Sequence, residues 1–243
     1  KDIETMIFLL RSLGSSIKFD KKNKLVNVNN SKNIKTFASY NLVKTMRAGI
    51  LVLGPLLARF NKAKVSLPGG CAIGARPVDI HLKALSKLGV NYKITQGYIY
   101  AKAPKGLIGN VIKFPKISVG ATENLIIAAS LAKGKTILKN CAIEPEINDL
   151  INFLRKMGCV IKWTGKRTVT VIGVKKLKNL IYRVMFDRIE AGTYMIASVL
   201  TEGNLKITNI NPKIIKTEID ILKKLGAKIK IKKKELKISA IKK

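Results

Sequence analysis

One pattern recurs four times in this 243-residue chain and restricts what it can fold into. Gly14, Gly89, Gly158 and Gly226 lie 75, 69 and 68 residues apart in matching surroundings. One residue before each stands Leu13, Leu88, Met157 or Leu225, and four before stand Leu10, Leu85, Leu154 and Leu222. Five before stand Leu9, Ala84, Phe153 and Ile221, and seven before stand Ile7, Leu82, Ile151 and Ile219. This is one apolar helical stripe written four times. The glycine falls where a helix ends in a left-handed turn, and Arg11, Lys87, Lys156 and Lys224 suit the negative end of the helix dipole.

Three residues after each glycine comes a second matched set: Ile17-Lys18-Phe19, Tyr92-Lys93-Ile94, Ile161-Lys162-Trp163 and Ile229-Lys230-Ile231. Its alternation predicts a half-buried strand. A polar turn and a further strand follow, at Leu25–Val28, Tyr98–Ala101, Thr168–Ile172 and Leu236–Ser239. Ahead of the striped helix, Thr122–Lys133 and Arg188–Thr201 are apolar on nearly every face and predict buried helices, each closed by a glycine (Gly134, Gly203) and a strand (Thr136–Lys139, Leu205–Thr208). Arg47–Arg59 and Lys64–Leu67 are their counterpart, with a kink expected at Pro55. The unit reads βαβαββ, and stacked copies imply a mixed α/β fold with sheets outside and helices inside.

At 47% hydrophobic residues the chain has material for a real core. Its longest nearly uncharged stretch, residues 117–132, is shorter than the roughly 20 apolar residues a bilayer span needs. No signal-peptide pattern opens the chain, and its first residue is Lys1 rather than Met, so a piece of a longer product is expected. The formal charge of +33, from 47 Lys and Arg against 14 Asp and Glu, invites a nucleic-acid reading. Only eight of the 47 are Arg, whose fork favours base and phosphate recognition, and the lysines are scattered with few interleaved aromatics. A lysine-rich bias over an ordinary globular fold accounts for this better, and such a surface still attracts anionic small molecules.

Cys71, Cys141 and Cys159 form an odd set with no CxxC spacing and no histidine cluster. Neither a disulfide framework nor a metal site is expected, and a reducing cytoplasm fits. The connection after the inner strand runs 18 residues from Asn140 to Gly158 and 17 from Asn209 to Gly226, but 21 from Pro68 to Gly89. The longer one reads Pro68-Gly69-Gly70-Cys71-Ala72-Ile73-Gly74-Ala75-Arg76-Pro77-Val78-Asp79. Its glycines allow close backbone approach to a ligand, and a thiol near a guanidinium is where a thiolate can be stabilised.

That loop closely resembles the mobile catalytic loop of the enolpyruvyl transferases that act on UDP-N-acetylglucosamine. Arg47-Ala48-Gly49-Ile50-Leu51-Val52-Leu53-Gly54-Pro55 resembles the family's helix bearing a substrate arginine, and Lys116-Ile117-Ser118-Val119-Gly120-Ala121-Thr122-Glu123-Asn124 its uridine-binding turn and buried helix. Tyr182-Arg183-Val184, followed by Asp187-Arg188-Ile189-Glu190-Ala191-Gly192-Thr193, resembles the entry to the second domain. The shikimate-pathway branch of the superfamily lacks the cysteine loop.

The resemblance implies an inside-out α/β barrel enzyme of two domains with three βαβαββ repeats each. About three and a half of the six are expected here: a first barrel domain over residues 1–186, lacking its N-terminal part, and the start of a second over 187–243. It implies transfer of the enolpyruvyl group of phosphoenolpyruvate to the 3-hydroxyl of UDP-N-acetylglucosamine, in peptidoglycan biosynthesis, by a cytoplasmic monomer with no metal or organic cofactor and no nucleic-acid or membrane partner. Cys71 would be the general acid and the residue fosfomycin alkylates. Arg76 would face phosphoenolpyruvate and Arg47 the sugar nucleotide. Pro77, Val78, Asp79 and Ile80, with Lys116, Ile117, Ser118, Val119 and Gly120, would contact the uridine diphosphate, Gly120 at a helix start. Cys141 and Cys159 would be apolar fillers, and His81 either a surface helix residue or a substrate contact. The family's Lys-Asn pair does not correspond to Lys22-Asn23 or Lys32-Asn33, and Asp187 and Glu190 do not replace its general base, so these residues alone are expected to be inactive. Another barrel relative, or a basic nucleic-acid-binding protein, is the alternative.

Overall fold

A computed structural model describes residues 2–30, 33–44, 46–69 and 78–239. The chain divides into two compact units, Lys1–Ile181 and Tyr182–Lys243.

The first unit opens with α1 (Asp2–Ser12) and the antiparallel hairpin β1 (Ser15–Asp20) and β2 (Leu25–Asn30). A complete repeat follows: β3 (Phe37–Ala38), α2 (Tyr40–Val43), a 3-10 turn (Arg47–Val52), α3 (Leu53–Phe60), β4 (Lys62–Ser66), α4 (Asp79–Ser86), β5 (Asn91–Thr95) and β6 (Tyr98–Lys102). The next comprises β7 (Val111–Lys113), α5 (Val119–Ala129), β8 (Lys135–Lys139), α6 (Pro145–Lys156), β9 (Val160–Gly165) and β10 (Thr168–Ile172). In both, the first two strands are parallel across a buried helix and the last two form an antiparallel hairpin. The sheet orders, β3-β4-β6-β5 and β7-β8-β10-β9, are therefore the same.

The recurring glycines do what their spacing predicts. Gly14, Gly89, Gly158 and Gly226 all have φ between 91° and 102°, a conformation that an L side chain resists. The chain can thus reverse from each striped helix into its hairpin. Ile7, Leu82, Ile151 and Ile219 are all buried behind those turns. Helix α5 lies at the centre of the first unit, packed on α3, α4, α6 and the 3-10 turn, with Ala121, Leu125, Ile126, Ala128 and Ala129 sealed from solvent.

Three expectations are corrected. Arg47–Arg59 is not one kinked helix but a 3-10 turn passing into α3. Pro55 lies in the first turn of α3, where a missing N–H removes no intrahelical bond. Strand β5, the outer strand of its sheet, is exposed along its whole length; its one lysine, Lys93, suits such an edge.

The third correction concerns the second unit, formed by α7 (Arg188–Leu200), β11 (Asn204–Thr208), α8 (Lys216–Lys224), β12 (Lys228–Lys232) and β13 (Glu235–Ser239) in one sheet ordered β11-β13-β12. Met195, Ile219, Leu222, Leu236 and Ile238 form its core. Helix α7 is not buried all round: Ile189 is 60% exposed and Leu200 78%. The α8 stripe is likewise half open, with Leu225 71% exposed. A single three-stranded sheet covers one face of each helix, whereas α5 is enclosed by helices from neighbouring repeats. No helix among the described residues is long and apolar enough to cross a membrane.

Candidate active site

The site residues that can be described gather at one end of the first unit, where α4, α5 and the 3-10 turn meet. Ser118 precedes α5 with extended backbone, and its hydroxyl accepts from the Ala121 N–H at 3.3 Å. Ser118 is followed three residues later by Ala121 rather than by Glu or Gln, so it is a simple N-cap, and the remaining N–H groups of the first turn, including that of Gly120, head the helix. That end carries partial positive charge and suits an anion. Lys116 and Ile117 lie on the surface just before it, and Val119 is also exposed.

Helix α4 begins beside it. Val78 caps it with a buried side chain, and Ile80 is buried too. Asp79 starts the helix at the dipole end that favours an acid. Its Oδ2 lies 3.8 Å from Lys83 Nζ, while Oδ1 is buried with no hydrogen-bond partner among the described residues. A buried acceptor of this kind calls for a donor. Arg47 is half-buried at the first position of the 3-10 turn.

His81 is not a surface residue. It follows Ile80 on the inner face of α4 and is only 2% exposed. Its ring edge lies against Gly120: a β-carbon there would stand 3.4 Å from Cε1 and 3.6 Å from Nε2. Burial, and then the nearby Arg47 charge, push its pKa down to about 4, against a smaller upward pull from Asp79. The ring is therefore neutral at physiological pH.

Behind His81 is Asn124, fully buried on α5. Its Oδ1 accepts from the Gly54 N–H at 2.8 Å, and its Nδ2 donates to the Ile50 carbonyl at 3.2 Å and meets His81 Nδ1 at 3.1 Å. One amide thus joins the 3-10 turn, α3, α4 and α5. Thr122 adds a second tie: its hydroxyl donates to the Ser118 carbonyl at 2.7 Å and accepts from the Ala142 N–H at 3.1 Å. Sequence reasoning quoted Thr122-Glu123-Asn124 only as part of a motif and missed both roles. A polar pair inside an otherwise apolar helix was the available signal.

Gly70, Cys71, Arg76 and Pro77 lie outside the described residues, so the structure does not place the loop thiol or its arginine. Cys141 and Cys159 are buried thiols, each pushed up to about 11 by burial. Among the described residues no group of His, Cys, Asp and Glu is arranged to hold a metal ion.

The model of the EPSP synthase family, 3-phosphoshikimate 1-carboxyvinyltransferase, matches residues 1–242. The chain belongs to this family. Two solved structures share its fold: the enolpyruvyl transferase NikO from Streptomyces tendae (TM-score 0.83, 21% identity, over 99% of this chain and 58% of that one), and EPSP synthase from Acinetobacter baumannii (TM-score 0.72, 19% identity, over 97% and 56%). Much closer in sequence are family members named UDP-N-acetylglucosamine 1-carboxyvinyltransferase. That of Pelagibacter ubique is 73% identical over all 243 residues, which span 58% of its own length. That of Dinoroseobacter shibae is 53% identical over 206 residues, 85% of this chain and 49% of the relative, and that of Coxiella burnetii 47% over 230 residues, 95% and 53%. The chain spans about half the length of the curated relatives it matches.

Proposed function

We propose that this chain forms the sugar-nucleotide-binding side of a UDP-N-acetylglucosamine 1-carboxyvinyltransferase, with residues 1–186 as its first barrel domain. In that reaction the sugar 3-hydroxyl adds to C2 of phosphoenolpyruvate while a proton is delivered to C3. The tetrahedral ketal then loses phosphate and a proton to regenerate the enol ether. The product enters peptidoglycan synthesis.

The observation that carries this reading is the cysteine-bearing loop, present in a chain 73% identical to a relative of that name. Cys71 is the proton donor to C3, and Arg76 on the same loop pairs with phosphoenolpyruvate. The site geometry supports the nucleotide half. The start of α5 offers backbone donors to the diphosphate, and Arg47 and Lys116 add charge at its sides. Val78 and Ile80 bury one wall, and the unpaired Oδ1 of Asp79 is an acceptor in need of a donor such as a uracil N–H. Our reading assigns the chain by itself binding and no turnover, because turnover also needs a base and further phosphoenolpyruvate contacts, and we assign neither to a described residue.

The test is covalent. Fosfomycin added with UDP-N-acetylglucosamine should modify Cys71 and spare Cys141 and Cys159, as read by peptide mass spectrometry. Equal modification of the three thiols, or none at Cys71, refutes the assignment.

A further inference from the structure

We propose that Asn124 is a positioning residue that holds His81 in the tautomer with its proton on Nε2, and so presents a neutral N–H donor at the first turn of α5. The inference rests on the functional reading above for the identity of the group that receives this donor.

The argument begins with the amide. Its two ends are chemically distinct but similar in shape, so the network has to assign them. The Gly54 N–H can only donate, so the amide atom 2.8 Å from it must be the oxygen. The Ile50 carbonyl can only accept, so the atom 3.2 Å from it must be the nitrogen. A flipped amide would set donor against donor and acceptor against acceptor at these two fully enclosed contacts. With the orientation settled, Nδ2 spends one proton on Ile50 and turns the other toward His81 Nδ1, 3.1 Å away. Nδ1 must then accept, and in a neutral imidazole the ring proton resides on Nε2.

A protonated ring would place a second donor at Nδ1 against the amide, in a buried site beside Arg47. Every charged group that faces the ring bears on this point: Arg47 opposes protonation, and only Asp79, at the start of the same helix, favours it. The low pKa and the hydrogen-bond geometry therefore agree, although they arise from different physics.

The other edge of the ring makes the assignment consequential. No described residue hydrogen-bonds to Nε2, and the Cε1–Nε2 edge lies against Gly120 in the first turn of α5. Glycine at 120 lets the imidazole lie flush against the helix start. The donor thus joins the free N–H groups of α5, where the anionic part of a sugar nucleotide is expected. A neutral donor keeps the same hydrogen from pH 5 upward, so its contribution to binding does not titrate. The opposite tautomer would turn a lone pair toward that anion.

His81 is the only histidine in the chain, so a histidine 15N label yields a single imidazole and needs no assignment. In the unaltered, ligand-free chain the proposal expects a pyridine-like Nδ1, a pyrrole-like Nε2, and no titration between pH 5 and 8. A protonated Nδ1, or a midpoint inside that range, overturns it. In Asn124→Asp, a carboxylate accepts from Nδ1–H, so the ring should gain a proton on Nδ1 and titrate within that range. UDP-N-acetylglucosamine affinity should then become pH-dependent, about tenfold weaker at pH 8 than in the unaltered chain, from loss of a hydrogen bond to a charged group. A purely structural Asn124 would change stability without moving the 15N signature, and that result also overturns the proposal. Should Asn124→Asp not fold, the tautomer in the unaltered chain remains decisive. A correct tautomer whose Nε2–H signal is indifferent to the nucleotide counts against the functional reading instead, so the two failures are distinguishable.

Discussion

Replacing Gly54 by alanine tests whether the Asn124 junction holds the first unit together. A β-carbon at position 54 would collide with Asn124 Oδ1 and stand 2.7 Å from the Asn124 carbonyl oxygen. The side chain could rotate away, but the carbonyl belongs to α5 and could not. Forcing α3 and α5 apart carries the cost of overpacking, about 1–3 kcal/mol. Displacing the amide also leaves the buried Gly54 N–H unpaired, for about 1–3 kcal/mol more. A loss of about 2–6 kcal/mol is a large part of the roughly 5–15 kcal/mol that keeps an ordinary domain folded. The assay is urea unfolding followed by fluorescence of Trp163, the only tryptophan. It packs on the core of the first unit and donates to Asn148 Oδ1 at 2.8 Å, so it reports that unit alone. The midpoint should fall with little change in slope. Gly120→Ala is the comparison: its β-carbon would meet His81 no closer than 3.4 Å, and the change should stay within about 1 kcal/mol. If Gly54→Ala also costs less than about 1 kcal/mol, the close packing argued for this junction is wrong.

Stability of the first unit should fall as pH drops from about 6.5 to about 4. The folded state resists protonating His81 where the unfolded chain accepts the proton, so the unfolded state binds more protons across that window. The loss relative to a His81→Gln chain should reach about 3 kcal/mol near pH 4; parallel pH profiles would refute it. Glu123 on α5 has its pKa raised by burial and then by Glu146 and Glu144, so Glu123→Gln should raise the unfolding midpoint at pH 7. That gain should vanish in acid, where the carboxyl is already protonated, and an equal gain at both pH values would argue against the repulsion. Thiol titration under native conditions should leave Cys141 and Cys159 unreacted. A pKa near 11 rather than 9 leaves about a hundredfold less thiolate, and rapid labelling of either would contradict their burial.

The repeat made most of the architecture legible before any coordinates. Leucines at fixed distances from Gly89 and Gly158 announced both helix and turn, because a helix end and a left-handed glycine are local events set by a few neighbouring residues. The hairpins after them were visible for the same reason. Less legible was which copies of the pattern find cover. Ile151 and Ile219 occupy the same place in the stripe and are both buried, whereas Leu225 is exposed and its counterpart Leu88 is not. The difference depends on what packs alongside, and periodicity carries no record of that. Tyr92-Lys93-Ile94 shows the same gap: it matches Ile161-Lys162-Trp163 and both lie in outer strands, yet Ile161 is buried and all of β5 is exposed.

The candidate site divides along the same line. The family resemblance supplied Asp79 and the stretch from Lys116 to Gly120, while the apolar pattern began the helix at Thr122; it begins at Val119, behind the Ser118 cap. His81 and Asn124 stand 43 residues apart, and Gly54 and Asn124 stand 70 apart. Nothing local to any of the three says that they meet. Close packing of α3, α4 and α5 sets one amide between a backbone donor and two acceptors in a site closed to water. There each mismatched pair would cost far more than on the surface. Sequence thus determined the repeated helix–turn–hairpin units. Only the tertiary structure decided which buried group points which hydrogen at the site, because that choice rests on contacts between distant segments.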